Sequence, residues 1–258
     1  MTTAPLLITS RDNPLIVELH KLGASPTAYR KQGRVWLEGD HLCQAALDRG
    51  FRPTLALYSG SFWPEAKSEW VQAAIKNIVL PDALFAYIST LESPASMGFV
   101  VDLPETAKLQ SSVGSVVLDR VQDAGNVGSI LRSAAAFGFS QVIALKGTAA
   151  LWSPKVLRAG MGAHFALKLI EGVEPSALRV LTLPMVVTSS HDGAELGSCA
   201  LPSPCAWVLG HEGQGVSPIL MDLATLKVCI GQPGGEESLN VAAAAAICLY
   251  ASTTSARN

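Results

Sequence analysis

The chain has 258 residues, enough for two modest domains, with 49% hydrophobic and 16% charged residues. That balance excludes a highly charged disordered chain and predicts a sizeable buried core, yet no apolar run reaches the roughly 18 residues of a membrane span. A net charge of −2 argues against a protein that coats nucleic acid unspecifically, and five cysteines without a CxxC pair argue against a disulfide framework.

The opening MTTAPLLITS lacks a basic stretch ahead of a long apolar core, so no secretion signal is expected and the cytoplasm is the expected compartment. In SRDNP, Asp12 or Asn13 can cap a helix whose first turn suits Pro14; the helix is predicted to run to about Leu22 and stop at Gly23. Residues 1–34 carry Arg11, Lys21, Arg30, Lys31 and Arg34 against Asp12 and Glu18, a local +3 from which a basic face can form. Strand-like runs follow at Val35–Leu37, Leu55–Tyr58, Ile78–Leu80 and Phe99–Val101, with helical stretches at His41–Asp48 and Glu65–Ile75. Such alternation predicts a first α/β domain over residues 1–105.

LPETAKLQSSVG, with Pro104 and a polar stretch, reads as a linker. Beyond it, strands are predicted at Ser115–Leu118, Gln141–Leu145, Met185–Thr188, Ala206–Leu209 and Lys227–Ile230. Helices are predicted at Val127–Phe137, Pro154–Met161, Pro218–Asp222 and Leu239–Ala251. Apolar strands flanked by helices imply a mainly parallel sheet over residues 112–258. Ligands of such sheets bind beyond the carboxyl ends of strands.

Three segments stand at such ends. In LDRVQDAGNVGSILRSAAAFG, Asn126 is placed to cap a helix and Gly138 to end it. Val127, Ile130, Leu131 and Ala134 share its core face and Arg132 points away, with the small Gly128 one turn earlier. In VLGHEGQGVS the glycines allow close backbone approach, and Glu212 can hold backbone amides or an arginine. In CIGQPGGEESLNVAAAAAI a strand ends in a glycine-rich loop, and Ser238 is a natural cap for the helix after it. Alone, each also fits a surface arginine, a tight turn or a capped core helix. No P-loop or GxGxxG occurs, and the five histidines show no metal-ligand spacing, so no metal site is expected.

Asn126 with Arg132, LGHEGQG, and the isoleucine followed by SLNVA together resemble the three ordered motifs of the TrmH/SpoU family of RNA 2′-O-ribose methyltransferases, in the SPOUT superfamily. The likeness covers roughly residues 112–252; SPKVLRAGMGA resembles a segment between the first two motifs, and ITSRDNPLIVELHKL with YRKQG and WLEGDHL resembles the RNA-binding domain often placed before the catalytic one. The resemblance implies a C-terminal trefoil knot, which connection rules alone would exclude. It also implies a smaller N-terminal domain of the ribosomal-protein L30e-like type, a homodimer through the knotted domain, and S-adenosylmethionine as cofactor. By motif position Leu209, Gly210, Gly215, Ile230, Gln232, Ser238 and Leu239 line the cofactor pocket, and Asn126, Arg132, Glu212 and Asn240 form the polar catalytic group. Arg11, Arg30, Lys31, Arg34 and Arg158 are the candidates for RNA contact.

Two departures stand out: IGQPGG lacks the proline that usually follows the isoleucine, and Gly160 stands where serine is common. Neither touches the polar group, so an active enzyme is expected. The resemblance points to Arg132 as the base, but a guanidinium that keeps its proton so tightly makes a bidentate phosphate clamp the better physical reading. Ribosomal RNA is preferred over transfer RNA as substrate. The competing readings are a non-catalytic RNA-binding or ribosome-assembly factor on the same fold, and a dinucleotide-dependent oxidoreductase, which the missing GxGxxG opposes.

Overall fold

A computed structural model describes residues 4–190, 192–235 and 238–255. The chain divides into two compact units: residues 1–105 with 152–165, and residues 106–151 with 166–258. Both are α/β. Residues 152–165, which a division at the linker assigns to the second block, belong to the first unit.

The first unit holds β1 (Leu6–Leu7), α1 (Pro14–Ala24), α2 (Ala28–Gln32), β2 (Arg34–Glu38), α3 (Asp40–Asp48), β3 (Leu55–Ser59), α4 (Ser68–Ala73), β4 (Lys76–Leu80), α5 (Asp82–Ile88) and β5 (Met97–Asp102). Its five-stranded sheet runs β1-β4-β3-β5-β2, with β5 antiparallel to both neighbours and the other pairs parallel. Asn13 caps α1, its side chain accepting from the Leu15 N–H at 3.0 Å, and Pro14 follows as predicted. Gly23 does not stop α1 but lies buried inside it, where a Cβ would come within 3.0 Å of the Ile88 carbonyl. The predicted helix Glu65–Ile75 is shorter: a 3-10 turn at Trp63–Glu65 precedes α4, and β4 takes the chain from Lys76.

The second unit holds β6 (Ser115–Leu118), α6 (Ala124–Ala136), β7 (Gln141–Leu145), β8 (Lys168–Val173), β9 (Met185–Thr188), β10 (Ala194–Glu195), β11 (Ala206–Leu209), α8 (Pro218–Asp222), β12 (Leu226–Cys229) and α9 (Val241–Ser255); α7 (Pro154–Gly160) precedes β8 in sequence but clusters with the first unit. The sheet order is β10-β12-β9-β11-β6-β7-β8 and every pairing is parallel. Every residue of β6, β7 and β11 is buried, as strands covered on both faces must be. Val117, Ile143, Val187, Ala206 and Val208 form one apolar cluster, each large side chain contributing about 1.5–3 kcal/mol by burial.

Polar anchors fix what the apolar core cannot orient. Buried Gln141 accepts from the Gln110 N–H at 2.8 Å and donates to the Gln110 carbonyl at 3.1 Å and to Ser115 Oγ at 2.8 Å, tying the linker to the sheet. The Trp207 indole N–H, fully buried, donates to Ser252 Oγ at 2.7 Å and docks α9 on β11.

Candidate functional site

The pairing of Leu118 with Leu209, Val208 with Val187 and Thr188 with Val228 brings the carboxyl ends of β6, β11, β9 and β12 to one edge of the second unit's sheet. The loops leaving those ends build the site. Asp123, not Asn126, caps α6: its carboxylate accepts from the Asn126 N–H at 2.7 Å. Asn126 therefore lies in the first helical turn, and its side chain is free to reach outward.

That side chain sits in the middle of a polar chain. Glu212, on the loop after β11, accepts from Asn126 Nδ2 at 3.1 Å and from the backbone N–H groups of Gln122 at 3.2 Å and Asp123 at 3.1 Å. Asn126 Oδ1 in turn accepts from Asn240 Nδ2 at 2.9 Å. Asn240 Oδ1 accepts from the Ala242 and Ala243 N–H groups at 2.9 and 3.2 Å. Asn240, not Ser238, thus caps α9: the helix begins at Val241, leaving Ser238 too far ahead to reach its first amides. Partial burial works to raise the Glu212 pKa, but hydrogen bonds from Asn126 and the backbone amides outweigh it and hold the carboxyl below its ordinary value.

The loop from Gly210 to Ser217 is closed on itself. The His211 and Gly215 N–H groups donate to each other's carbonyls at 3.0 and 2.8 Å, and His211 Nδ1 accepts from the Gly213 and Gln214 N–H groups at 3.0 and 3.2 Å. A Cβ on Gly210 would lie 2.2 Å from the Gly215 carbonyl carbon, so only glycine admits this pass of backbone against backbone.

A cleft of about 350 Å³ opens between this loop, Thr188–Ser190, the end of β12 with Ile230 and Gln232, and the start of α9 with Ser238 and Leu239. Of the expected pocket residues it is lined by Gly210, Gly215, Ile230, Gln232, Ser238 and Leu239. Leu209 is not on its wall: it is fully buried in β11 and its carbonyl is taken by the Asp119 N–H at 2.8 Å. Val228, Ile230, Leu239, Val241 and Ala244 give the cleft an apolar side, while Gln232 Oε1 is buried there with no hydrogen-bond partner among the described residues. An apolar wall beside backbone amides and an unsatisfied acceptor suits a nucleoside-sized ligand with polar edges.

Arg132 is exposed on α6, almost two turns beyond Asn126, and makes no hydrogen bond or ion pair among the described residues. It is outside the polar chain. Gly128 is buried rather than open beside it. In the first unit, the Arg11 guanidinium lies 4.7 Å over the Tyr87 ring, whose centroid stacks 4.5 Å from that of His20. Arg30 folds over Tyr29, and Arg34 is half-buried between Glu18 at 3.5 Å and Asp102 at 3.9 Å. Arg34 is therefore not a free basic group, because two carboxylates already meet it. Lys31 and Arg158 are exposed.

Sequence reasoning missed Asp119, Arg120, Gln214 and Ser217, which tie the first loop to the second. Asp119, 2% exposed, accepts from the Ser217 N–H at 2.6 Å and pairs with Arg120 Nε at 3.0 Å. A signal was present: Asp119 is a carboxylate directly after the apolar run of Val116, Val117 and Leu118. Among the described residues no group of histidine, cysteine, aspartate and glutamate is placed to hold a metal ion.

The SpoU rRNA Methylase family matches residues 114–250. A 23S rRNA (guanosine(2553)-2′-O)-methyltransferase of Bacillus subtilis is 30% identical over 218 residues, covering 83% of this chain and 86% of its own. A solved structure of a TrmH-family protein from Porphyromonas gingivalis superposes with a TM-score of 0.81 at 29% identity, over 93% of this chain and 97% of its own. The SpoU methyltransferase AviRb from Streptomyces viridochromogenes, solved in complex with AdoMet, shares the fold at TM-score 0.83 and 23% identity, over 95% of this chain and 99% of its own.

Proposed function

As the chain belongs to the SpoU rRNA methylase family, we propose that it transfers the methyl group of S-adenosylmethionine to a ribose 2′-hydroxyl of RNA, with ribosomal RNA as its substrate class. The observation that carries this reading is the polar chain Glu212–Asn126–Asn240, which joins the three motif loops beside the cleft. The choice of ribosomal RNA is supported by the 23S rRNA activity of the Bacillus subtilis relative. Transfer RNA is the second reading, since a Synechocystis relative 32% identical over 268 residues carries the name tRNA/rRNA methyltransferase; a non-catalytic binding role has no observation of its own in its favour.

The cleft fits the cofactor: Gln232 Oε1 needs a donor, the glycine backbone leaves room for close approach, and the apolar wall suits an adenine ring. Gly210, Gly215, Ile230, Gln232, Ser238 and Leu239 hold it. S-adenosylmethionine, when bound, supplies an electrophilic methyl on a sulfonium. The protein's task is then alignment, which can supply roughly 7–11 kcal/mol at near-attack geometry. Glu212 and Asn126 keep the loops in register, and Asn240 fixes the start of α9. Arg132, exposed and unpaired, clamps the phosphate beside the target ribose and orients its hydroxyl. Arg11, Lys31 and Arg158 contribute to RNA contact.

The proposal includes a trefoil knot in the second unit, supported by family membership and by a strand order in which the late β11 lies between β9 and β6. It includes an L30e-like RNA-binding role for the first unit, and a homodimer supported by Ile247 and Tyr250, which are 41% and 57% exposed on α9. It places the protein in the cytoplasm; no described helix is long and apolar enough to cross a membrane.

The test is transfer of radiolabelled methyl to ribosomal and transfer RNA, followed by mapping of ribose-methylated positions. Transfer to ribosomal RNA is expected, with Arg132→Lys losing transfer while S-adenosylhomocysteine still binds. Absence of transfer to either RNA would overturn the reading, and near-normal activity of Arg132→Lys would overturn the clamp.

A further inference from the structure

Arg120 stands in the left-handed backbone region with φ of 60°, one of two non-glycine residues to do so among those described. The conformation strains any residue that carries a Cβ, a cost that glycine would not incur. A strained residue persists only when its surroundings hold it, and here they do so at every atom group. The Arg120 N–H donates to Thr148 Oγ1 at 3.2 Å. Its stem passes close over Gly147, where a Cβ would come within 3.1 Å of Arg120 Cγ. Nε and Nη2 donate to the two carboxylate oxygens of Asp119 at 3.0 and 3.4 Å, and Nη1 donates to Gln214 Oε1 at 2.9 Å.

Neutralising the buried Asp119 accounts for only part of this arrangement. Gln214 is exposed and on the wall of the cleft. Its loop is fastened at one end by Ser217 N–H to Asp119 and at the other by Glu212 to the amides of Gln122 and Asp123. Between those points its side chain has one described hydrogen bond, to Arg120. Untied, a glutamine side chain with three rotatable bonds can sweep across the space the ligand needs.

Resting on the reading of this cleft as the S-adenosylmethionine site, we propose that Arg120 is a positioning residue for cofactor binding: its guanidinium bridges buried Asp119 to Gln214 and holds the glutamine clear of the cleft. It touches neither cofactor nor RNA and acts through Gln214.

The experiment is calorimetric titration of S-adenosylhomocysteine into the full chain and into Gln214→Ala, Arg120→Gly and their double variant, with steady-state kinetics on RNA. Arg120→Gly is expected to bind roughly tenfold more weakly, whereas Gln214→Ala, which removes the side chain that must be held clear, should bind within about twofold of the wild type and should restore that affinity in the double variant. In Arg120→Gly the KM for S-adenosylmethionine should rise while kcat stays within about twofold, the mark of lost ground-state binding. Arg120→Lys, which reaches one partner instead of two, should fall between. If Arg120→Gly does not fold, Asp119→Asn combined with Arg120→Gly removes the buried charge with its partner and leaves an acceptor for Ser217. Wild-type affinity in Arg120→Gly, or a double variant as weak as Arg120→Gly, would overturn the tie. A wild-type chain that binds no S-adenosylhomocysteine overturns the functional reading, and this inference with it.

Discussion

Gly210→Ala is the sharpest single-atom test of the cofactor loop. The added Cβ would sit 2.2 Å from the Gly215 carbonyl carbon and 2.3 Å from the Val216 nitrogen, where 3.4 Å or more is ordinary contact. Backbone must retreat by about 1 Å, because no flexible side-chain end is there to yield. Overpacking of this kind costs about 1–3 kcal/mol. The two hydrogen bonds between His211 and Gly215 add roughly 1 kcal/mol each when the loop opens. A total of roughly 3–5 kcal/mol should lower the melting temperature by about 10 °C, at some 2–4 °C per kcal/mol for a chain of this length. Displacement of about 1 Å at a binding surface should also reduce methyl transfer by roughly a hundredfold. Gly215→Ala is the control: φ there is 68° but a Cβ meets nothing within 4 Å, so only about 1 kcal/mol of backbone strain is expected. Calorimetric melting and S-adenosylhomocysteine titration read both effects. A Gly210→Ala variant as stable and as tight-binding as Gly215→Ala would refute the close backbone pass.

Asn240→Ala removes the α9 cap and the bond to Asn126, so it should cost about 1–2 kcal/mol and lower the melting temperature, whereas Ser238→Ala should leave stability nearly unchanged; the reverse order would sink the assignment of the cap. The Glu212 carboxyl is held below its ordinary pKa, so the stability it contributes is present above the unfolded-state value and is lost only as pH falls through the lowered folded value. Protection of the Gln122 and Asp123 amides from hydrogen exchange, corrected for intrinsic rates, should therefore stay flat from neutrality to about pH 5 and fall at stronger acid; a fall already near pH 6 would contradict this. Gly160→Ser should lower the melting temperature, because a Cβ there meets the buried His164 ring at 2.5 Å, and an unchanged melting temperature would mean that the ring moves aside freely.

Apolar patterning located five strands of the second unit within a residue because runs such as β6, β7 and β11 are short, predominantly apolar and end at glycine or a polar residue. It missed β8, whose glutamate and glycine interrupt the run at the sheet edge, and β1 and β10, which have two residues each. Cap placement failed for a different reason. Ser238 and Asn240 both suit an N-cap, and so do Asp123 and Asn126; the order of the chain does not say where the first helical amide lies. Residues 152–165 cluster with the first unit, which a cut made along the sequence does not separate from the second block.

The site residues were legible only as an ordered set, and the geometry explains that limit. Asn126, Glu212 and Asn240 stand 86 and 114 residues apart along the chain in their two pairings, so no local window contains the hydrogen bonds that unite them. What a window does contain is the local cause of each bond: a turn that frees Asn126 from capping, glycines that let Glu212 face two amides, and a loop that ends in Asn240. Arg120 shows the converse. Nothing in its identity marks it, since a surface arginine is unremarkable in sequence and its left-handed backbone is not written there. Its meaning comes from a buried carboxylate one residue before it and a glutamine 94 residues after it. A residue that acts by joining two others becomes visible only when both partners are in place, and for that reason its role must be tested by the coupling between the partners rather than by removing either one.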